Sequence, residues 1–104
     1  MTSQLRIATW NIHKGIGTDR RYRLDRIVAV LGALDADVVC LQEVDRGVPR
    51  SAYENQAERL KDELGYPHSA LGLNVRVKQG MYGNLTLSRH PLEDVHNVNL
   101  TFPP

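Results

Sequence analysis

Two short stretches hold the side chains of this sequence that could act together chemically. They are Thr9-Trp10-Asn11-Ile12-His13-Lys14-Gly15 and Leu41-Gln42-Glu43-Val44-Asp45. Each closes an apolar run that reads as a strand, residues 5–10 in the first case and 38–41 in the second. The amide oxygen of Asn11 and the carboxylate of Glu43, presented together, would be two hard donors, half of a site that Mg²⁺ or Mn²⁺ accepts. A plainer reading stands beside this one. A carboxylate ending an apolar strand needs a partner or solvent, so Glu43 could simply accept from an Arg or the backbone. Asn11 could be no more than a turn residue. Lys14, Arg20, Arg21, Arg23 and Arg26 form a basic cluster near the same edge. Such a cluster would draw an anionic phosphate substrate, though a solvated charged loop explains it as well.

The elements between the two stretches decide whether they can meet. Leu24, Ile27, Val28, Leu31 and Leu34 follow helical spacing, with Asp25 in the first turn where a negative charge suits the helix dipole. Strand, crossover helix and strand favour a parallel, right-handed pair, which ends both strands on one edge of the sheet and puts Asn11 beside Glu43. The first strand alternates Leu5, Ile7 and Thr9 with Arg6, Ala8 and Trp10, and Arg6 suggests that its face is only partly buried at the beginning of the strand. The second strand is apolar throughout, as expected of a central strand covered on both faces. Gly32 inside the helix predicts a close-packing requirement. Asp35-Ala36-Asp37 turns the chain between helix and strand, and residues 45–50 read as a loop. Ser51 and Glu54 then form a capping-box pattern, and Ala57, Leu60, Lys61 and Leu64 continue a second helix that Gly65 and Pro67 end. Beyond it, residues 68–71, 74–78, 85–88 and 95–100 read as short antiparallel strands punctuated by Gly72, Gly80, Gly83 and Pro91.

Size and composition set wider bounds. A chain of 104 residues is one domain or part of one. It can bury about two-thirds of its unfolded surface. Thirteen Lys and Arg against twelve Asp and Glu leave a net charge of +1, which favours neither a nucleic-acid nor a membrane partner. The single Cys40 lies in an apolar run, where it predicts a small buried hydrophobe rather than a reactive thiol. No apolar stretch approaches the ~18 residues that span a bilayer, and the start lacks an apolar signal region. The expected location is cytoplasmic. Gly15-Ile16-Gly17 follows a strand but has Arg20 where a dinucleotide loop needs its third glycine.

Thr9-Trp10-Asn11-Ile12 followed by Leu41-Gln42-Glu43-Val44 resembles the endonuclease/exonuclease/phosphatase superfamily of DNase I-like, divalent-metal phosphoesterases. The resemblance continues at Tyr82-Gly83-Asn84-Leu85-Thr86-Leu87-Ser88-Arg89-His90-Pro91-Leu92, similar to a segment of many bacterial members, so the three segments cover most of the chain. It implies an α/β fold, a two-sheet β-sandwich with outer helices. Residues 1–104 would be its N-terminal half: a βαβ unit, a second helix and short antiparallel strands. By the same resemblance Glu43 ligates Mg²⁺ or Mn²⁺, and Asn11 helps to orient the metal, its water or a phosphate oxygen. His13 stands where several nuclease relatives carry a metal-site Asp and where many bacterial members have His; whether it binds metal, touches phosphate or only packs stays open. Lys14 is the candidate for phosphate contact.

The Asp-x-Asn and Asp-His pairs that complete the family's catalytic set do not occur in this sequence. The resulting expectation is part of a phosphoesterase acting on a phosphate ester, either nucleic acid or a phospholipid or inositol-phosphate headgroup. The isolated chain would be inactive and prone to self-association. A non-catalytic binding module built on the same fold is the second reading, and a nucleotide-binding α/β domain the third.

Overall fold

Leucines at helical spacing place the first helix, and its packing sets the core. The computed structural model describes residues 4–47, 55–77 and 80–96, with side chains described for all of these but 73–77. Strand β1 is Ile7–Asn11, followed by a single 3-10 turn at His13–Gly15. Helix α1 is Leu24–Leu34, strand β2 Val38–Arg46, helix α2 Gln56–Leu64, strand β3 His68–Val77 and strand β4 Gly80–Ser88. Helix α1 buries Leu24, Ile27 and Leu31, and ends where Asp35 turns left-handed at φ 49°. The expected packing role of Gly32 is absent: a Cβ there would meet only Leu64, at an ordinary 4.0 Å.

The sheet order is β1-β2-β4-β3, with β1 and β2 parallel and the other pairs antiparallel. The parallel pair is the one expected from strand, helix, strand, so the βαβ unit holds. Both helices supply the core on one sheet face, where Leu24, Leu31, Leu41, Leu60, Leu85 and Leu87 are fully buried. Each such side chain contributes roughly 1.5–3 kcal/mol by leaving water.

Several boundaries differ from the sequence reading. The two short strands expected at 68–71 and 74–78 are one strand, β3, because β4 offers a continuous partner, with one register shift between Leu73 and Val75. Residues 95 and 96 are irregular, and the rest of the strand expected at 95–100 lies outside the described residues. Asn55, not Ser51, caps α2: its side-chain oxygen accepts from the Glu58 N–H at 3.2 Å. Ser51 and Glu54 lie outside the described residues. Gly65 does close α2 in the left-handed conformation, φ 74°.

The face of β1 that begins with Arg6 is the covered one, and Arg6 itself is exposed at its start, as expected. Ala8 and Trp10 pack against the core, whereas Leu5 and Ile7 are 57% and 60% exposed. Alternation shows that two faces differ; which one is covered depends on the side of the sheet the helices take. Val38 and Cys40, on the face away from the core of β2, are only half-buried, so the strand is fully covered on one face alone among the described residues.

The edge of the sheet where β2 begins is pinned by polar contacts. Asp37 accepts from the Arg6 N–H at 2.8 Å, and Arg89 pairs with both Asp35 and Asp37. The Arg6 N–H, and Arg89 after it, hold the Asp37 carboxyl below the usual range. The buried Tyr66 hydroxyl donates to the Ala36 carbonyl at 2.6 Å. No helix among the described residues is long and apolar enough to cross a membrane.

Candidate active site

The opposite edge gathers the chemistry-bearing residues. Asn11 pairs in register with Gln42, and the Ile12 N–H carries the ladder one step further to the Gln42 carbonyl at 3.1 Å. On its other side β2 is bulged: Leu41 faces Leu85 and Val44 faces Gly83, so Gln42 and Glu43 together span the place of Asn84. Glu43 therefore lies inside a strand rather than at its end, in a left-handed conformation with φ 56°. A bulge re-aims a side chain without ending the strand. Here it lets Leu41 and Val44 both stay in the core while Glu43 turns to the sheet edge.

Across from it, the chain leaves β1 through three successive left-handed residues, His13, Lys14 and Gly15, with φ 49°, 61° and 79°. Asn11 starts this turn, its side-chain oxygen accepting from the His13 N–H at 3.0 Å. The Gly15 N–H then donates to the Ile12 carbonyl at 3.0 Å. Left-handed backbone costs a non-glycine residue roughly 1–2 kcal/mol. His13, Lys14 and Glu43 all adopt it within one site, a concentration of strain that points toward function. Gly15 is required sterically as well, because a Cβ there would sit 2.6 Å from Tyr22.

The two strained segments bring their side chains together. Lys14 Nζ lies 2.9 Å from Glu43 Oε1, and His13 Nδ1 lies 3.3 Å from Oε2. The Lys14 hydrogen bond holds the Glu43 carboxyl below its ordinary pKa; burial opposes this, and a hydrogen bond from the Asn11 side chain adds to it. Lys14 also lies over the Tyr82 ring, 6.0 Å from its centre. The Glu43 side chain keeps 25% of its exposure and that of His13 70%, so the carboxylate is open to a ligand on the His13 side. All four residues singled out in the sequence, Asn11, His13, Lys14 and Glu43, thus converge. The basic cluster is less uniform. Arg23 pairs with Asp25 and Arg26 with Asp19, while Arg20 and Arg21 stand exposed on the loop.

Asp45 does not belong to the loop expected at residues 45–50. It is fully buried within β2, and its N–H donates to Gln56 Oε1 at 2.8 Å. Gln56, also fully buried, donates through Nε2 to the Lys14 carbonyl at 2.8 Å. Gln56 did not stand out in the sequence. The available signal was that Gln56 precedes Leu60 and Leu64 by one and two helical steps, a polar residue on the buried stripe.

As donors for a cation, Glu43 and Asn11 offer one carboxylate and one amide oxygen. Among the described residues no three His, Cys, Asp or Glu side chains converge on a metal position. One carboxylate with waters and substrate phosphate oxygens nonetheless suits Mg²⁺, which seldom relies on an all-protein cage. The residues present fit part of such a site.

A family model described as "Endonuclease/Exonuclease/phosphatase family" matches residues 8–103. The YbhP protein of Escherichia coli K12 is 32% identical over 108 residues, covering 92% of this chain and 41% of the relative. YbhP of Shigella flexneri matches to the same extent, so this chain spans 41% of the length of these relatives. Among solved structures, an endonuclease/exonuclease/phosphatase from Beutenbergia cavernae superposes with a TM-score of 0.71 at 34% identity, over 84% of this chain and 26% of that one. A family protein from Leptotrichia buccalis superposes with a TM-score of 0.60 over 86% of this chain and 39% of that one; its 18% identity speaks for the fold alone.

Proposed function

As this chain belongs to the endonuclease/exonuclease/phosphatase family, we propose that its Asn11–Glu43 edge is the metal-holding part of a phosphoesterase that hydrolyses a phosphodiester or phosphomonoester. The observation that carries this reading is the convergence of Asn11, His13, Lys14 and Glu43 on one strained sheet edge. Family members are in general divalent-metal dependent. Glu43 and Asn11 would hold Mg²⁺ or Mn²⁺, which when bound supplies Lewis-acid polarisation of a phosphoryl oxygen. Lys14 holds the Glu43 carboxylate ionised and stands where it can also meet substrate phosphate. His13, largely exposed, borders the open side of the carboxylate and contacts the phosphate ester from there. Residues 1–104 would be part of the domain, with the groups that position water and bind the leaving oxygen supplied outside them. The substrate would be a nucleic-acid backbone or a phospholipid or inositol-phosphate headgroup.

A non-catalytic module is favoured by one feature: each Glu43 carboxylate oxygen already has a polar neighbour, the Lys14 ammonium on one and the His13 ring nitrogen on the other, so the cluster stands without a metal. Calorimetric titration of the full chain with Mg²⁺ and Mn²⁺, wild type beside Glu43→Gln, separates the two. Saturable binding that Glu43→Gln removes supports the metal site. Equal behaviour of the two proteins would leave Glu43 a structural carboxylate.

A further inference from the structure

We infer that Gln56 is a positioning residue for this site, a buried strut that sets the distance between the Lys14 turn and the Glu43 bulge. The inference rests on the metal-site reading above for its consequence, and on hydrogen bonding alone for its geometry. Gln56 opens helix α2 and has no exposed surface. Its Oε1 accepts from the Asp45 N–H and its Nε2 donates to the Lys14 carbonyl, both at 2.8 Å. One planar amide therefore joins β2 two residues past Glu43 to the backbone of the residue whose ammonium contacts Glu43. The two partners lie 11 and 42 residues away in sequence, so no local structure can replace the link.

The amide matches its partners in one orientation only, since a backbone N–H must donate and a carbonyl must accept. Both segments hold non-glycine residues in left-handed backbone, Glu43 on one side and His13 and Lys14 on the other. Such conformations persist when surrounding contacts over-determine them. Gln56 supplies one such contact to each side, and its Nε2 would lie 3.1 Å from a Cβ on Gly15, which shows how closely it is wedged beneath the turn. Without the strut, the Lys14 and Glu43 segments lose their shared reference point although every proposed ligand residue is retained.

Two variants separate the halves of the link. Gln56→Met keeps length but makes neither bond. Gln56→Glu still accepts from Asp45 but, as a carboxylate, faces the Lys14 carbonyl with another acceptor. Tyr66→Phe serves as the control, because it removes a buried hydrogen bond at the other end of the sheet. The full chain is followed by amide hydrogen exchange and by Mn²⁺ titration. Gln56→Met should raise exchange at residues 13–16 and 43–45 and leave α1 as in the wild type. Gln56→Glu should raise it at 13–16 and spare 43–45. Loss of an outer-shell partner weakens metal binding about 10–100-fold, so Mn²⁺ affinity should fall by that factor in Gln56→Met and stay unchanged in Tyr66→Phe. Uniform or unchanged exchange in both Gln56 variants overturns the inference, as does unaltered Mn²⁺ affinity in Gln56→Met beside a binding wild type. Should the wild type itself take no Mn²⁺, the metal-site reading falls, and the exchange pattern alone decides the role of Gln56.

Discussion

Glycine in the middle of a strand ordinarily weakens it, and Glu43 is the position in β2 where that rule should fail. Glu43 has φ 56°, a left-handed backbone that any L side chain adopts at a cost of roughly 1–2 kcal/mol. Glu43→Gln keeps that cost and removes the charge, whereas Glu43→Gly removes both. The two variants share the loss of the Lys14 and His13 contacts. For an ion pair this accessible, the loss of the Lys14 contact is worth about 0.2–1 kcal/mol. Because Lys14 stabilises the ionised carboxylate, Glu43→Gln should lose a little stability rather than gain it from removal of a buried charge. Glycine adds about 0.5–1 kcal/mol of unfolded-chain entropy against the relieved strain. Combining that with the roughly 1–2 kcal/mol of relief, Glu43→Gly should match or exceed Glu43→Gln by about 0–1.5 kcal/mol. For a domain near this size each kcal/mol moves Tm by about 4–8 °C. Denaturant unfolding with calorimetry measures the difference directly. A Glu43→Gly protein less stable than Glu43→Gln by about 1 kcal/mol or more would mean that the bulge does not hold this residue left-handed. If Glu43 ligates the metal as proposed, both variants should lose divalent-metal binding, with Glu43→Gly the more stable or equal of the two.

Three further outcomes follow from other contacts. Gly15→Ala should unfold more readily by about 1 kcal/mol or more and weaken Mn²⁺ binding, since the new Cβ meets Tyr22 at 2.6 Å and the backbone is left-handed; wild-type melting and binding would contradict the described turn. Stability should decline between pH 4 and pH 2. Arg23 lowers the Asp25 carboxyl from 3.8 to about 2, and Asp19 and Asp37 shift the same way. Across that window the unfolded chain binds more protons, so the contribution is complete above the ordinary value and lost as pH falls through the folded one; a flat stability profile from pH 5 to 2 would refute it. The 104-residue chain by itself should show no phosphoesterase turnover with Mg²⁺ or Mn²⁺, as it has no Asp-x-Asn or Asp-His pair. It should also self-associate through the face bearing Ile7, 60% exposed. Turnover abolished by Glu43→Ala, or a monomer at all concentrations by sedimentation, would count against these two expectations respectively.

The sequence by itself determined the elements whose signals are local. The leucine spacing of α1, the left-handed stop at Gly65 and the strand-helix-strand order are read within a few residues, and they suffice to make β1 and β2 parallel and to bring Asn11 and Glu43 to one edge. Other features depended on partners distant in the chain. The length of β3 follows from the ladder that β4 offers, and the exposure of Ile7 follows from which face the helices cover. The bulge at Glu43 has no glycine to announce it; it arises because Leu41 and Val44 must both reach the core while β2 stays paired with β4. Gln56 carries the same lesson. Its type favours the surface, and only the meeting of the Asp45 N–H and the Lys14 carbonyl over one buried point gives its amide a place. Hydrogen-bond complementarity between segments 42 residues apart is a property of the folded chain, and no window of sequence contains it.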